Sequence, residues 1–461
     1  MRGCIAMCGV KNKLIIFAMP VRNLPLVDGD DIVSYHKGLY EFPYGAMSVA
    51  SFLSDNGVES FVVSLDCFIS NRNTPLDESK KIISSLVDTH DDGNLYIGLS
   101  INYKIQESFS LAIIEWLNQK YNHINILIGG SHATIAHNLY MENNQIIKGE
   151  GEVESLRRIK YNFDIRHDRV IKNKHFSLSL TERINDIPKI NFDLLHLPDK
   201  IKLCDFDFHI PASRGCVGAC AFCTSSSIWS CGIRYKELEI IESEISHLVS
   251  HNIDIIDLVD DAISINMQRL REVSSITKNF SNVSFPVMTR IDLLTREVVD
   301  ILASSNMISL YVGIESTQEK ILKEMNKNIN INKDLQILEY AVDRGLNVGT
   351  FWMLGHPGAT RDLDMRSIDG LSELLRKKFL NEVSLGIFLP IPFTKSFYHP
   401  HIKLLNVPCE LWTGMQPVHR LEDESGNVLY HEDEMVYVRD QCLSLMEQYS
   451  IANNSIDTSI Q

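Results

Sequence analysis

Three of the ten cysteines fall within eight residues, in Cys216-Val217-Gly218-Ala219-Cys220-Ala221-Phe222-Cys223. Intervals of three and two residues let three thiolates turn inward around one inorganic centre, as cysteines do in iron–sulfur loops. Three local ligands would leave one iron of a 4Fe-4S cluster open, and an open position separates reactive metal sites from closed structural ones. The competing reading is a structural zinc ion, which usually takes its ligands from two paired-cysteine motifs. No second pair stands nearby. The other seven cysteines read as buried or incidental thiols.

Further polar residues stand where apolar runs end. Asp260 and Asp261 close Leu258-Val259-Asp260-Asp261-Ala262, and carboxylates there suit an ammonium group or cap the next helix. Arg290 and Asp292 close Met288-Thr289-Arg290-Ile291-Asp292, where the planar guanidinium fork suits a carboxylate and the acid suits hydroxyls. A surface salt bridge would use the same residues. In the first third of the chain, Ser100 ends one apolar run. Gly129-Gly130-Ser131-His132-Ala133-Thr134 follows another, and two glycines let a bulky ligand approach the backbone.

The elements that must position these residues alternate. Strands are expected at 14–18, 61–65, 95–100 and 125–128, with helices at 47–56 and 108–121, the pattern of a doubly wound parallel sheet. Ligands of such sheets sit beyond the carboxyl ends of the strands. From Phe208 a second alternation begins, with strands at 254–261, 283–290, 308–316, 347–355 and 381–390. Its helices are expected at 237–250, 267–279, 296–304, 332–344 and 362–378. With the strand before the cysteines this makes six βα units, and in parallel barrels chemistry sits at the C-terminal strand ends.

The cysteine loop, with Phe222 before its last cysteine, resembles the CxxxCxxC signature of radical S-adenosylmethionine (SAM) enzymes. That resemblance implies a partial (βα)6 TIM-type barrel, a 4Fe-4S cluster on Cys216, Cys220 and Cys223, and SAM chelated to the open iron and cleaved by electron transfer to a 5′-deoxyadenosyl radical. Gly313-Ile314-Glu315-Ser316 resembles the GIES segment of the family, which implies SAM contacts for Glu315 and Ser316, with Phe222, Asp260, Asp261 and Arg290 as further cofactor contacts. Gly355-His356-Pro357-Gly358-Ala359-Thr360 resembles the turn near the adenine, and Pro390-Ile391-Pro392-Phe393-Thr394 resembles a P-x-P-G-T segment with Phe393 where glycine is usual.

Ile126 to Thr134, with Lys148-Gly149-Glu150-Gly151-Glu152 and the stretch from Phe42 to Ala46, resembles the cobalamin-binding domain that precedes many radical SAM domains. Ser100, Gly129, Gly130 and Ser131 would then meet cobalamin. The DxHxxG motif that ligates cobalt from below is missing, and His132 reads as a hydrogen-bonding or packing residue. The α/β organisation expected is a Rossmann-like cobalamin-binding domain over 1–156, a linker over 157–205, the radical SAM barrel over 206–395 and a small C-terminal segment over 396–461 that caps the barrel.

Composition bounds the rest. A 461-residue chain exceeds one ordinary core, and 44% hydrophobic with 22% charged residues describes a globular protein. A net charge of -15 argues against a general nucleic-acid binder. The N-terminus reads as a first strand rather than a signal peptide. No run approaches the roughly 18 apolar residues of a membrane helix, and cysteine-rich chains without a secretion signal suit a reducing cytoplasm. The reading is a cobalamin-dependent radical SAM enzyme that methylates an unactivated carbon, or phosphorus, of a small molecule, with an external electron donor such as flavodoxin or ferredoxin. The alternatives are a cobalamin-assisted rearrangement, cyclisation or oxidation without methyl transfer, and a non-catalytic iron–sulfur or corrinoid carrier. A transfer-RNA methylthiotransferase is disfavoured by the lack of a basic C-terminal module.

Overall fold

The computed structural model describes residues 12–21, 40–71, 73–140, 144–161, 169–172, 177–180, 186–228, 232–327 and 329–451. They form two compact units, one running to Lys202 and the other from Leu203 onward with residues 40–42 added.

The first unit opens with β1 (Lys13–Ala18), whose Leu-Ile-Ile-Phe-Ala run is buried throughout, as a parallel strand covered on both faces requires. A two-residue strand, β2 (Tyr40–Glu41), belongs to the second unit. Then follow α1 (Tyr44–Asp55), β3 (Glu59–Ser64), α2 (Pro75–His90), β4 (Leu95–Ser100), α3 (Glu107–Lys120), β5 (Asn125–Gly129), α4 (Ser131–Ile135), β6 (Gln145–Ile146) and α5 (Glu152–Tyr161). A strand pair, β7 (Arg169–Lys172) and β8 (Ser177–Leu180), is antiparallel, and β9 (Leu195–His196) returns to the main sheet. The sheet order is β6-β5-β4-β1-β3-β9, parallel at each pairing. The four expected strands therefore appear. Helix α2, which was not expected, starts with proline at its first position and acids in its first turn, both favourable at a helix N-terminus.

The second unit is a curled parallel sheet in the order β17-β16-β15-β14-β13-β10-β2. Its elements are β10 (Phe206–Ile210), β11 (Ser213–Arg214), α6 (Ser225–Ile228), β12 (Arg234–Tyr235), α7 (Leu238–Ser250), β13 (Ile256–Leu258), α8 (Met267–Thr277), β14 (Val287–Arg290), α9 (Arg296–Ala303), β15 (Ser309–Glu315), α10 (Glu319–Glu324), α11 (Ile331–Asp334), α12 (Gln336–Asp343), β16 (Asn347–Leu354), α13 (Arg361–Arg376) and β17 (Glu382–Ile387). Here the expected six strands stand in order, with β2 added at the edge. The helix expected over 332–344 is instead two short helices meeting at Leu335. Side chains of Thr295 and Thr360 accept the amides of Val298 and Leu363, caps that fix where α9 and α13 begin.

Beyond the barrel strands lie an antiparallel trio, β18 (Ile402–Leu404), β19 (His419–Glu422) and β20 (Val428–Tyr430), and the helix α14 (Glu432–Gln448). Helix α14 turns Met435, Val438, Cys442 and Met446 inward and packs on α13, β16 and β17. The C-terminal segment is thus folded onto the flank of the sheet at its last two strands. Among the described residues no helix is long and apolar enough to cross a membrane.

Candidate functional site

The cysteine loop leaves β10, passes through β11, which pairs antiparallel with β12, and is clamped from two sides. Ala221 N–H donates to Met325 O at 2.8 Å, Asn326 Nδ2 donates to Ala219 O at 2.6 Å, and Ser396 N–H donates to Ala221 O at 2.9 Å. The segments after α10 and after β17 therefore fix the loop's path. Phe222 is buried between the ring edge of His356 and the ammonium of Lys327, 5.6 Å over its face. Cys216, Cys220 and Cys223 each keep partial exposure.

N–H groups already point at two of the sulfurs. Gly218 N–H donates to Cys216 Sγ at 3.2 Å, and Arg290 Nη1 lies 3.2 Å from Cys220 Sγ. Burial pushes the Cys223 thiol up to about 12 and raises that of Cys216, with Asp261 adding to both. A coordinating metal deprotonates such thiols outright. Among the described residues no group of three or more His, Cys, Asp or Glu converges on a single metal ion. Three thiols on one clamped loop, with donors aimed at two of the sulfurs, are the donor type that iron–sulfur clusters take.

The strand-end residues divide. Glu315 ends β15 with φ +68°, buried, and its Oε1 meets Lys327 Nζ at 2.7 Å. With Phe222, Phe351, Met353, Ser384 and Phe388 it lines a small, partly open pocket. Ser316 turns away: its hydroxyl is fully buried, 2.9 Å from Ser367 Oγ on α13, and accepts Gln318 N–H at 3.1 Å. Asp260 is also committed, accepting Ala212 N–H at 3.1 Å and the Ser213 hydroxyl; burial raises its carboxyl to about 6. It braces the backbone that leads into the cysteine loop. Asp261 accepts the Ser225 hydroxyl, and burial raises its carboxyl as well. Arg290 grips Asp292 through Nε at 2.9 Å and Nη2 at 2.7 Å, so its fork already holds a carboxylate of the chain.

Two features escaped the sequence reading. Lys327, the partner of Glu315, was not among the candidate residues. The turn at 355–360 is anchored by buried histidines. His356 Nδ1–H donates to Pro357 O, and its Nε2 accepts from Ser396 Oγ, both at 2.8 Å; burial holds its pKa down at about 3. His419 Nε2–H donates to Gly355 O at 2.8 Å, while Gly355 N–H donates to Asp364 Oδ2 at 2.8 Å. Phe393, in the glycine position of its segment, holds φ +68°, a backbone region glycine enters freely and larger residues at a cost.

In the first unit the loops after β4 and β5 interlock. Ser131 hydroxyl donates to Asn102 O at 2.8 Å, Asn102 Nδ2 approaches Ser100 Oγ at 3.4 Å, and Gln106 Nε2 donates to Met19 O at 2.8 Å. Gly130, at φ +107°, has no room for a Cβ, which would stand 2.3 Å from Ile101 O. The close approach of the two loops accounts for that glycine. A Cβ at Gly129 would meet only Ile147, at an ordinary 3.7 Å, so packing does not demand glycine there. His132 is buried, 3.0 Å from Glu107 Oε2, which also meets Lys104 at 2.6 Å, in keeping with a hydrogen-bonding role. Cys4, Cys8 and Cys231 lie outside the described residues; Cys67 and Cys442 are buried and Cys204 is exposed.

Residues 210–366 match the Radical SAM superfamily. The chain is 24% identical over 317 residues to "Uncharacterized methyltransferase PH0819" of Pyrococcus horikoshii, covering 64% of this chain and 68% of that protein. It is 25% identical over 384 residues to "Putative methylthiotransferase MJ0865" of Methanocaldococcus jannaschii, covering 77% and 76%. In structure it is similar to the radical S-adenosylmethionine methyltransferase TsrM of Kitasatospora setae, solved with cobalamin and a [4Fe-4S] cluster. That match has a TM-score of 0.68 at 12% identity over 95% of this chain and 89% of that one, a likeness of fold.

Proposed function

We propose that this chain, whose residues 210–366 are a radical SAM domain, is a cobalamin-dependent methyltransferase acting on an unactivated carbon, or phosphorus, of a small molecule. The observation that carries the reading is the clamped loop of Cys216, Cys220 and Cys223, with Phe222 and Glu315 lining the neighbouring cavity. When bound, the cluster supplies one electron to SAM and cobalamin carries the methyl group, chemistry that belongs to the cofactors.

The chain's own residues bind, orient and exclude water. Cys216, Cys220 and Cys223 would hold the cluster. Glu315, paired with Lys327, would offer a carboxylate to the polar groups of SAM. Phe222, Phe351, Phe388 and Met353 give the pocket an apolar wall, which would limit the access of water to a bound ligand. Ser100, Gly129, Gly130 and Ser131 at the strand ends of the first unit would meet cobalamin, in the position where open α/β sheets bind ligands. A relative named as an uncharacterised methyltransferase and a structural neighbour solved with cobalamin and a cluster support this reading. It places the protein in the cytoplasm, with an external donor such as flavodoxin or ferredoxin supplying electrons. The relative named as a putative methylthiotransferase favours methylthio transfer as a second reading.

Product mass separates the two. Anaerobically reconstituted protein, given SAM, cobalamin and a low-potential reductant with a candidate substrate pool, should produce a compound heavier by one methylene unit. A gain that includes sulfur supports the second reading, and an isomer or a loss of hydrogen contradicts both.

A further inference from the structure

Arg290 divides its guanidinium between two partners of opposite character. One edge, Nε and Nη2, is held by Asp292, while Nη1 lies 3.2 Å from Cys220 Sγ. The cysteine loop is shaped to admit it: a Cβ at Gly218 would stand 2.7 Å from Nη1 and 3.2 Å from Cys216 Sγ. Gly218 is not in the left-handed region, so room for the guanidinium, rather than backbone conformation, accounts for the glycine. With the Arg290 side chain only 18% exposed, solvent screens this contact weakly.

One-electron reduction adds negative charge to an iron–sulfur cluster and its thiolates. Hydrogen bonds to the sulfurs and nearby charge are among the determinants of its potential. Arginine keeps its charge at every working pH, and Asp292 fixes the plane of the fork so that one nitrogen stays directed at sulfur. We infer that Arg290 is a positioning residue that raises the reduction potential of the cluster through its N–H contact with Cys220, and that residue 218 is glycine to admit it. The inference rests on the cluster reading given above.

The test uses the full chain, reconstituted anaerobically with iron and sulfide, as wild type and as Arg290→Gln, Arg290→Lys, Gly218→Ala and the double variant Gly218→Ala/Arg290→Gln. Each is reduced stepwise with titanium(III) citrate in the presence of mediator dyes, and the reduced cluster is followed by electron paramagnetic resonance. Iron and sulfide per chain are measured on the same samples. Arg290→Gln should keep its iron and sulfide while its midpoint shifts to lower potential, with Arg290→Lys between it and wild type. Gly218→Ala should shift in the same direction, and the double variant no further than Arg290→Gln, because both remove one contact. A midpoint unchanged in a fully loaded Arg290→Gln overturns the inference. If that variant loses iron, an unchanged midpoint in Gly218→Ala overturns it instead. A wild type that binds no cluster overturns the cluster reading itself and the inference with it.

Discussion

Glu315 and Lys327 form an ion pair inside the protein, Oε1 to Nζ 2.7 Å, with their side chains 4% and 5% exposed. Lys327 Nζ also donates to Gly313 O at 3.0 Å, so the pair closes the end of β15 on itself. Breaking a buried pair by removing one partner leaves an uncompensated charge and costs about 3–5 kcal/mol. Lys327→Met should therefore lower unfolding free energy in urea by about that amount. Glu315→Gln/Lys327→Met should lose less than the two single changes combined. Additive losses would show that the two side chains do not act as a pair.

Ser316 faces Ser367 and Gln318 rather than the cavity. Ser316→Ala should cost about 1 kcal/mol, the usual net value of a hydrogen bond, and leave SAM affinity of the cluster-loaded protein unchanged. A tenfold loss of affinity measured by equilibrium dialysis would restore a direct contact.

Phe393 occupies the left-handed region at φ +68°. A non-glycine residue there carries a backbone cost of roughly 1–2 kcal/mol, which Phe393→Gly relieves, offset by the lost ring contacts and the freer unfolded chain. Thermal unfolding should place Phe393→Gly within about 1 kcal/mol of wild type, and Phe393→Val clearly below both, since β-branched residues tolerate positive φ worst. A strongly destabilised glycine variant would mean that the ring matters more than the backbone.

His419 is buried with its pKa held down at about 4 from an ordinary 6.5, chiefly by desolvation. Its folded value is depressed, so the unfolded chain binds the extra proton first. Its stabilising contribution is complete above pH 6.5 and is lost as pH falls toward 4. The gap corresponds to about 3 kcal/mol. Urea titrations at pH 7.5 and 4.5 should show wild type losing more stability on acidification than His419→Gln, and parallel losses would contradict a neutral buried imidazole.

Legibility followed how directly a residue type dictates its surroundings. The cysteine loop was readable because three thiols at short intervals have few other uses, and the barrel strands because parallel strands are continuous apolar runs. Side-chain direction at a strand end was not readable. Strand alternation stops at Glu315, which ends β15 in the left-handed region, and only the structure shows Glu315 turned to the cavity and Ser316 to α13. The commitments of Asp260 to Ala212 and Ser213, and of Arg290 to Asp292, depend on residues brought together by folding or chosen among several possible partners. Helix α2 was missed because polar residues interrupt its apolar positions. Helix α14 opens with a capping box in which His431, rather than serine or threonine, is the cap. Lys327 could have been suspected only from a lysine following the GIES-like segment, which is a weak signal.

The most direct test of the central claim is whether the cysteine loop makes this protein a SAM-cleaving enzyme. Wild type and the triple variant Cys216→Ala/Cys220→Ala/Cys223→Ala are reconstituted anaerobically, reduced with titanium(III) citrate in the presence of SAM, and assayed for 5′-deoxyadenosine by mass spectrometry. The account predicts 5′-deoxyadenosine from wild type and none above background from the triple variant. A fully loaded wild type that leaves SAM intact, or a triple variant that cleaves it equally well, would contradict it.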